Sequence, residues 1–374
     1  MDLETRLNAV VDSALAAQRI VGAVVIVCKH GKPVYRRAAG LADREARSPM
    51  REEAIFRFAS VSKPIVAATA LALVDKGVLS LDEPITRWLP SFHPRLPDGR
   101  EATITLRHLL SHTSGLRYVE ETPEDAYRLA NVSGGLEQPG LGMAENLRRI
   151  ASAPLAFAPG TAWRYGVGID VAGGIIEAAT GARLGDAVAR YVTSPLAMHD
   201  TGFAVTDRDR LATPYAEGAP PNRMGDTCRI EGELGRDTLF APDRIFDLNS
   251  FHSGGAGMAG TAPDFMRFLE ALRTGGAPIL SVAILEEASR NQIGALAREE
   301  KDAGFRFGLM SAVLADPGAA DSPQSAGTLE WGGIYGHSWF MDGAEGLSVV
   351  AFTNTAVEGC LGELPKQIRR AVYG

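Results

Sequence analysis

"FRFASVSKPIVAATALALVDKG", residues 56–77, sets Ser60 three residues ahead of Lys63 at the head of an almost wholly apolar run. With six lysines and 20 serines in the chain, fewer than one Ser-x-x-Lys pair is expected by chance, and Ser60 with Lys63 is the only one. The pattern predicts a helix from Ser60 that ends at Gly77, a residue free to take the left-handed conformation of a helix C-terminus. Val61, Ile65, Val66, Leu71, Leu73 and Val74 lie all round this cylinder, so the helix should be buried. Side chains at i and i+3 share a face, so Ser60 Oγ and Lys63 Nζ can meet. The positive end of the helix dipole and partial burial disfavour an ammonium there, pushing Lys63 toward a neutral base that would activate a serine nucleophile. The competing reading makes Ser60 a helix cap and Lys63 a surface residue.

The 374 residues, 45% of them apolar, can bury a large core as one large domain or two intimate ones. Net charge −7, a pI near 5.6 and no basic run leave no electrostatic footprint for nucleic acid or an anionic membrane. Cys28, Cys228 and Cys360 show no CxxC spacing, so neither a disulfide framework nor a thiolate metal site is indicated. The acidic, amphipathic start "MDLETRLNAVVDSALAAQRI" lacks the features of a secretory signal. With no apolar run of about 18 residues either, the expectation is a soluble, cytoplasmic protein.

Leu3, Leu7, Val10, Val11, Ala14 and Leu15 recur at helical spacing and lead to two strand-like runs about His30 and Gly31. The far end mirrors this: "GHSWFMD", a turn at "GAEG", the strand "LSVVAFTN" and a helix over 364–372. The fold class expected is therefore α/β of the α+β type. One antiparallel sheet is formed by both chain ends, flanked by helices and split by a large, mostly helical insertion. The boundaries read as 1–56 and 290–374 for the sheet domain and 57–289 for the helical domain. Residues 205–253, rich in Pro, Gly, Asp and Arg, read as a long irregular excursion.

Several chemistries are excluded. GxSxG does not occur; "NVSGG" at 131–135 has Asn131 in the first position. HExxH is absent, and among seven histidines only His108 and His112 stand at i, i+4, without an adjacent acid, which favours structural roles. "GAGMAG", 255–260, matches GxGxxG but follows no buried strand and opens no βαβ unit.

Five segments carry a resemblance: "SVSK" at 60–63, "LRHLLSHTSGL" at 106–116, "FAPGTAWRYG" at 157–166, "GGAGMAGTAPDFMRF" at 254–268 and "WGGIYGHSWF" at 331–340. Their order resembles class C β-lactamase-like serine hydrolases, and within these the chain is most similar to family VIII carboxylesterases, whose third motif tends to be WGG. The resemblance implies a β-lactamase/transpeptidase-like fold with Ser60 as the acylated nucleophile and Lys63 and Tyr165 handling its proton. It further implies an oxyanion hole from the N–H groups of Ser60 and Ile334, and substrate contacts from Trp331, Gly332, Gly333 and His337. No metal or organic cofactor is required.

Two positions depart from the lactamase pattern. Trp331 stands where lactamases and DD-peptidases carry Lys or His, and Val167 stands where YxN has its Asn. Loss of a cation and an amide favours uncharged esters over β-lactams. The expectation is a serine esterase acting on short-chain, small-molecule esters, with neither nucleic acid nor membrane as partner. The alternatives are a β-lactamase or DD-peptidase, and a silent binding protein of the same fold. Acyl length and oligomeric state are not legible, and residues 117–142 and 205–253 are expected to wall the site.

Overall fold

An all-apolar helix needs apolar surroundings on every side, and the helix over Ser62–Asp75 has them: each of its residues from Ser62 to Leu73 is buried. The structure is a computed structural model that describes residues 1–120, 122–205, 207–231, 237–298 and 303–374. The helix ends as its sequence dictates. Gly77 has φ +69°, its N–H donates to Val74 O, and the N–H of Val78 donates to Leu73 O at 2.9 Å. Its start differs from expectation. Ala59–Val61 form a 3₁₀ turn and the α-helix begins at Ser62, so Ser60 sits just ahead of the first α-helical turn. Ala59 takes φ +46°, a conformation costly for a residue with a Cβ and one that marks functional turns.

An eight-stranded antiparallel sheet draws on both ends of the chain. Its spatial order is Phe305–Phe307, Ala312–Leu314, Leu329–Gly333, His337–Asp342, Leu347–Thr353, Gly22–Lys29, Lys32–Asp43 and Ser48–Pro49. The central pair is registered by Val25 opposite Ala351. Two turns close the neighbouring hairpins. His30 and Gly31 take φ +49° and +80°, as a two-residue hairpin loop demands. Gly346 of the other turn accepts from the N–H of His30, and a Cβ at 346 would lie 2.2 Å from the His30 ring.

The strand Gly22–Lys29 reads as a continuous apolar run because both faces of the sheet are covered. Val25, Val27, Val349 and Ala351 pack with Leu7, Val11, Leu364 and Ile368 of the terminal helices, Leu3–Ala16 and Glu363–Tyr373. Val24, Ile26, Val350 and Phe352 face the larger core with Phe58, Ile65 and Phe265. Between the sheet-forming ends lie the helices Leu106–Leu110, Met143–Ser152, Gly168–Thr180, Leu184–Val188 and Ala262–Arg273. The excursion from 205 to 253 is not wholly irregular: it holds the short pairs Tyr215–Ala216 with Asn222–Arg223 and Cys228–Ile230 with Thr238–Phe240. Residues 206 and 232–236 of it lie outside the described residues. No helix among the described residues is long and apolar enough to cross a membrane.

Candidate active site

Ser60 Oγ is the meeting point of two side chains. Lys63 Nζ donates to it at 3.1 Å across the expected i, i+3 spacing, and Tyr165 Oη donates at 2.7 Å from 105 residues away. Ser60 makes no helix cap, so the capping reading fails on geometry. Tyr165 is brought there by one loop laid on another. Arg164 N–H donates to His112 O, Gly160 N–H to Thr113 O and Ala156 N–H to Gly115 O, tying "LSHTSGL" to "FAPGTAWRYG". Gly115 has φ +83°, and a Cβ on it would lie 2.4 Å from Phe157 O. The approach therefore requires glycine.

Lys63 is 2% exposed and spends all three donors: on Ser60 Oγ, on Tyr118 Oη at 3.0 Å and on Gly255 O at 2.7 Å. Burial alone would push this amine toward its neutral form, but the phenols of Tyr118 and Tyr165 outweigh it, and the net direction is upward. This corrects the expectation of a neutral lysine. Nζ also stands 4.6 Å from the centre of the Tyr165 ring, a cation–π contact that favours the ammonium further. Tyr118 was not singled out from the sequence. It stands two residues after "LSHTSGL", but nothing in its spacing distinguishes it from a packing tyrosine.

The third segment is placed partly as expected. Trp331 lies 5.2 Å from the Tyr165 ring and points Nε1 at Tyr165 Oη from 3.4 Å. The N–H of Ile334 donates to no protein acceptor among the described residues, which leaves it available to an oxyanion. The two glycines serve chain packing: a Cβ on Gly333 would lie 2.2 Å from Phe58 O, and one on Gly332 2.6 Å from His337 O. Gly332 borders a cavity, whereas the Cβ side of Gly333 is filled by Phe58 and Val61. His337 does not meet the expected substrate contact. It is 1% exposed, with Nε2 2.8 Å from Arg57 O and its ring against Phe56 and Phe352. Alternation along Leu329–Asp342 puts His337 on the face that enters the core.

Two cavities meet at Ser60, Tyr165 and Ile334. One, about 280 Å³, is lined by Tyr118, Val119, Val132, Leu136, Val167 and Leu239. The other, about 250 Å³, is lined by Trp163, Phe305, Trp331 and Gly332 and bordered by Arg298. Residues 117–142 and 205–253 thus contribute to one wall, with residue 121 outside the described set. Val167, fully buried beside Tyr165, offers no side-chain donor. Among the described residues no cluster of three or more His, Cys, Asp or Glu could hold a metal ion. His108 caps its own helix with Nδ1 accepting from Thr105 N–H, while His112 lies edge-on to Trp163, Tyr165 and Phe307.

Two buried histidines and a half-buried one make stability pH-dependent. Burial holds His112 well below its ordinary value and His337 and His252 at about 4. Below pH about 6.5 the unfolded chain takes up protons that the folded chain refuses, so stability is present above that value and is lost as pH falls toward about 4. Thermal unfolding at pH 7, 6, 5 and 4 is expected to show a falling Tm, and His337→Asn to show a shallower fall. Equal slopes for the two proteins would contradict the assignment to His337.

The half-buried Ser60 and Tyr165 and the buried Lys63, joined by hydrogen bonds where two cavities meet, have the arrangement of a serine hydrolase. The beta-lactamase family model matches residues 7–372, and the chain belongs to that family. Esterase EstB of Burkholderia gladioli is 51% identical over 376 residues, covering 99% of this chain and 95% of EstB. The solved structure of EstCE1, described as a hydrolase with promiscuous acyltransferase activity, superposes with a TM-score of 0.96 at 42% identity, covering 100% of this chain and 98% of that one. Unliganded simvastatin synthase of Aspergillus terreus shares the fold at a TM-score of 0.76 and 22% identity, covering 100% of this chain and 98% of that one. These relatives bear out the resemblance to carboxylesterases of the β-lactamase fold.

Proposed function

We propose that this chain is a serine esterase that cleaves short-chain carboxylic esters of small molecules through an acyl-enzyme on Ser60. The observation that carries the reading is the convergence of Lys63 Nζ and Tyr165 Oη on Ser60 Oγ where the two cavities join. Since the site favours the Lys63 ammonium, the role of general base falls to the Tyr165 oxygen, whose ring faces that cation. Tyr165 Oη, as general base, takes the Ser60 proton as Oγ bonds to the ester carbon, and the carbonyl oxygen becomes an anion held by the N–H groups of Ser60 and Ile334. Tyr165 then returns the proton to the alcohol oxygen as the C–O bond breaks. Water entering the vacated side bonds to the acyl carbon as it gives a proton to Tyr165, and Tyr165 passes that proton to Ser60 Oγ as the Oγ–C bond breaks and the acid leaves. Cavities of about 280 and 250 Å³ sit at the small end for ligand pockets, which supports short acyl and modest alcohol groups.

Trp331 and Val167 weigh against β-lactams, since neither offers a charge or an amide to a lactam carboxylate or side chain. The intact hydrogen bonds at Ser60 weigh against a silent binding protein. Three unpaired cysteines fit a reducing compartment, and the cytoplasm is the location proposed. No metal or organic cofactor enters these steps. The test compares p-nitrophenyl butyrate with nitrocefin, after labelling the protein with a fluorophosphonate and locating the adduct by peptide mass. Ester turnover in large excess, with the label on Ser60, is expected; dominant nitrocefin turnover would favour the lactamase, and no label with no turnover would favour the silent fold.

A further inference from the structure

The glycine-rich segment 253–257 and the acid beneath it take no part in the proton transfers above. Asp170, in the first turn of the helix Gly168–Thr180, is 1% exposed. Its Oδ1 accepts from Ser253 Oγ at 2.5 Å and from Gly255 N–H at 3.1 Å, and its Oδ2 has no hydrogen-bond partner among the described residues. Ser253 Oγ in turn accepts from Ala256 N–H, and Ser253 O from Gly257 N–H, so the segment forms a tight turn. That turn is seated on the helix by its glycines: a Cβ on Gly254 would lie 2.5 Å from Ile169 O, and one on Gly255 2.6 Å from Asp170 Oδ2. "GAGMAG" therefore owes its glycines to close packing rather than to a dinucleotide.

Gly255 is held at both ends. Its N–H is fixed by Asp170 while its carbonyl accepts from Lys63 Nζ at 2.7 Å, the shortest of the three bonds that lysine makes. We propose that Asp170 is a positioning residue for the reaction: by binding Ser253 Oγ and Gly255 N–H it fixes the Gly255 carbonyl, which aims Lys63 Nζ at Ser60. The inference rests on the catalytic reading of Ser60 and Lys63. A carboxyl is a costly group to bury. The positive groups facing this one are Lys63 and Arg244, and burial nonetheless pushes it upward. An apolar side chain would serve a helix core better, and a role in placing Gly255 accounts for the acid.

The test measures kcat and KM for p-nitrophenyl butyrate, with thermal unfolding, for the wild type, Asp170→Ala, Asp170→Asn and Lys63→Ala. Asparagine keeps an acceptor oxygen for both donors, whereas alanine keeps none. Asp170→Ala is expected to lower kcat about 10- to 100-fold with KM little changed, the usual size for loss of a group that orients a functional one. Asp170→Asn is expected to stay within about threefold of the wild type, a loss of under about 1 kcal/mol. A folded Asp170→Ala with undiminished kcat, or an Asp170→Asn as impaired as the alanine variant, would overturn the proposal. If Asp170→Ala does not fold, Ser253→Ala removes one of the two bonds and should cost about threefold or more in kcat; an unchanged kcat there would overturn it equally. A fully active Lys63→Ala would instead overturn the catalytic reading on which the inference stands.

Discussion

Ser60→Ala is expected to lower ester turnover by at least about four orders of magnitude, because the acyl group has then no oxygen to bond to. The substitution removes one hydroxyl and leaves the fold's supports in place. Lys63 keeps its bonds to Tyr118 Oη and Gly255 O, and the neighbouring Ala59 and Val61 stay packed in the core. Thermal unfolding should therefore move by only a few degrees, and the fluorophosphonate adduct should vanish with the activity. The effect is expected to fall wholly on catalysis, since neither oxyanion donor is a side chain. Hydrolysis that survives Ser60→Ala at a tenth of the wild-type rate would mean that another group is acylated, or that water attacks directly.

What the sequence discloses follows the range of each interaction. Ser60 and Lys63 meet at i, i+3, and the Gly77 terminus and the His30–Gly31 turn are set by single residues, so all were legible. Both hairpins and both terminal helices were visible because a strand or helix shows its period over a few residues. Tyr165, 105 residues from Ser60, was reached only through resemblance, while Tyr118 and the Gly255 carbonyl, 55 and 192 residues from Lys63, were not reached. These two partners help to decide the charge of Lys63. Local reasoning counted the helix dipole and burial, which favour the neutral amine, and missed the phenols that reverse the direction. His337 was misread for a related reason. Strand alternation says which residues share a face with it, but only the packed partners Phe56 and Phe352 say that this face is the core.

The identity of the proton acceptor separates the two phenols. Both bear on Lys63, and Tyr165 Oη bonds Ser60 Oγ at 2.7 Å while Tyr118 Oη accepts from Lys63 Nζ at 3.0 Å. Tyr165→Phe keeps the ring, with its contacts to Trp331, Tyr118 and His112, and deletes only the hydroxyl. Its kcat is expected to fall about 10²- to 10⁴-fold, the range for a positioned general base, with KM changed little because both cavities keep their walls. Tyr118→Phe should cost about tenfold, since it removes one of three acceptors from Lys63 without breaking the line from Ser60 to Tyr165. In Lys63→Met the ammonium is lost, and with it the cation that faces the Tyr165 ring and the bond to Ser60 Oγ. That variant should fall at least as far as Tyr165→Phe, and the double variant little further, because the two residues act as one proton-handling unit. A reversed order, with Tyr118→Phe the more damaging of the two tyrosine variants, would transfer the role of base to Tyr118 and require its hydroxyl to reach Ser60 once substrate is bound.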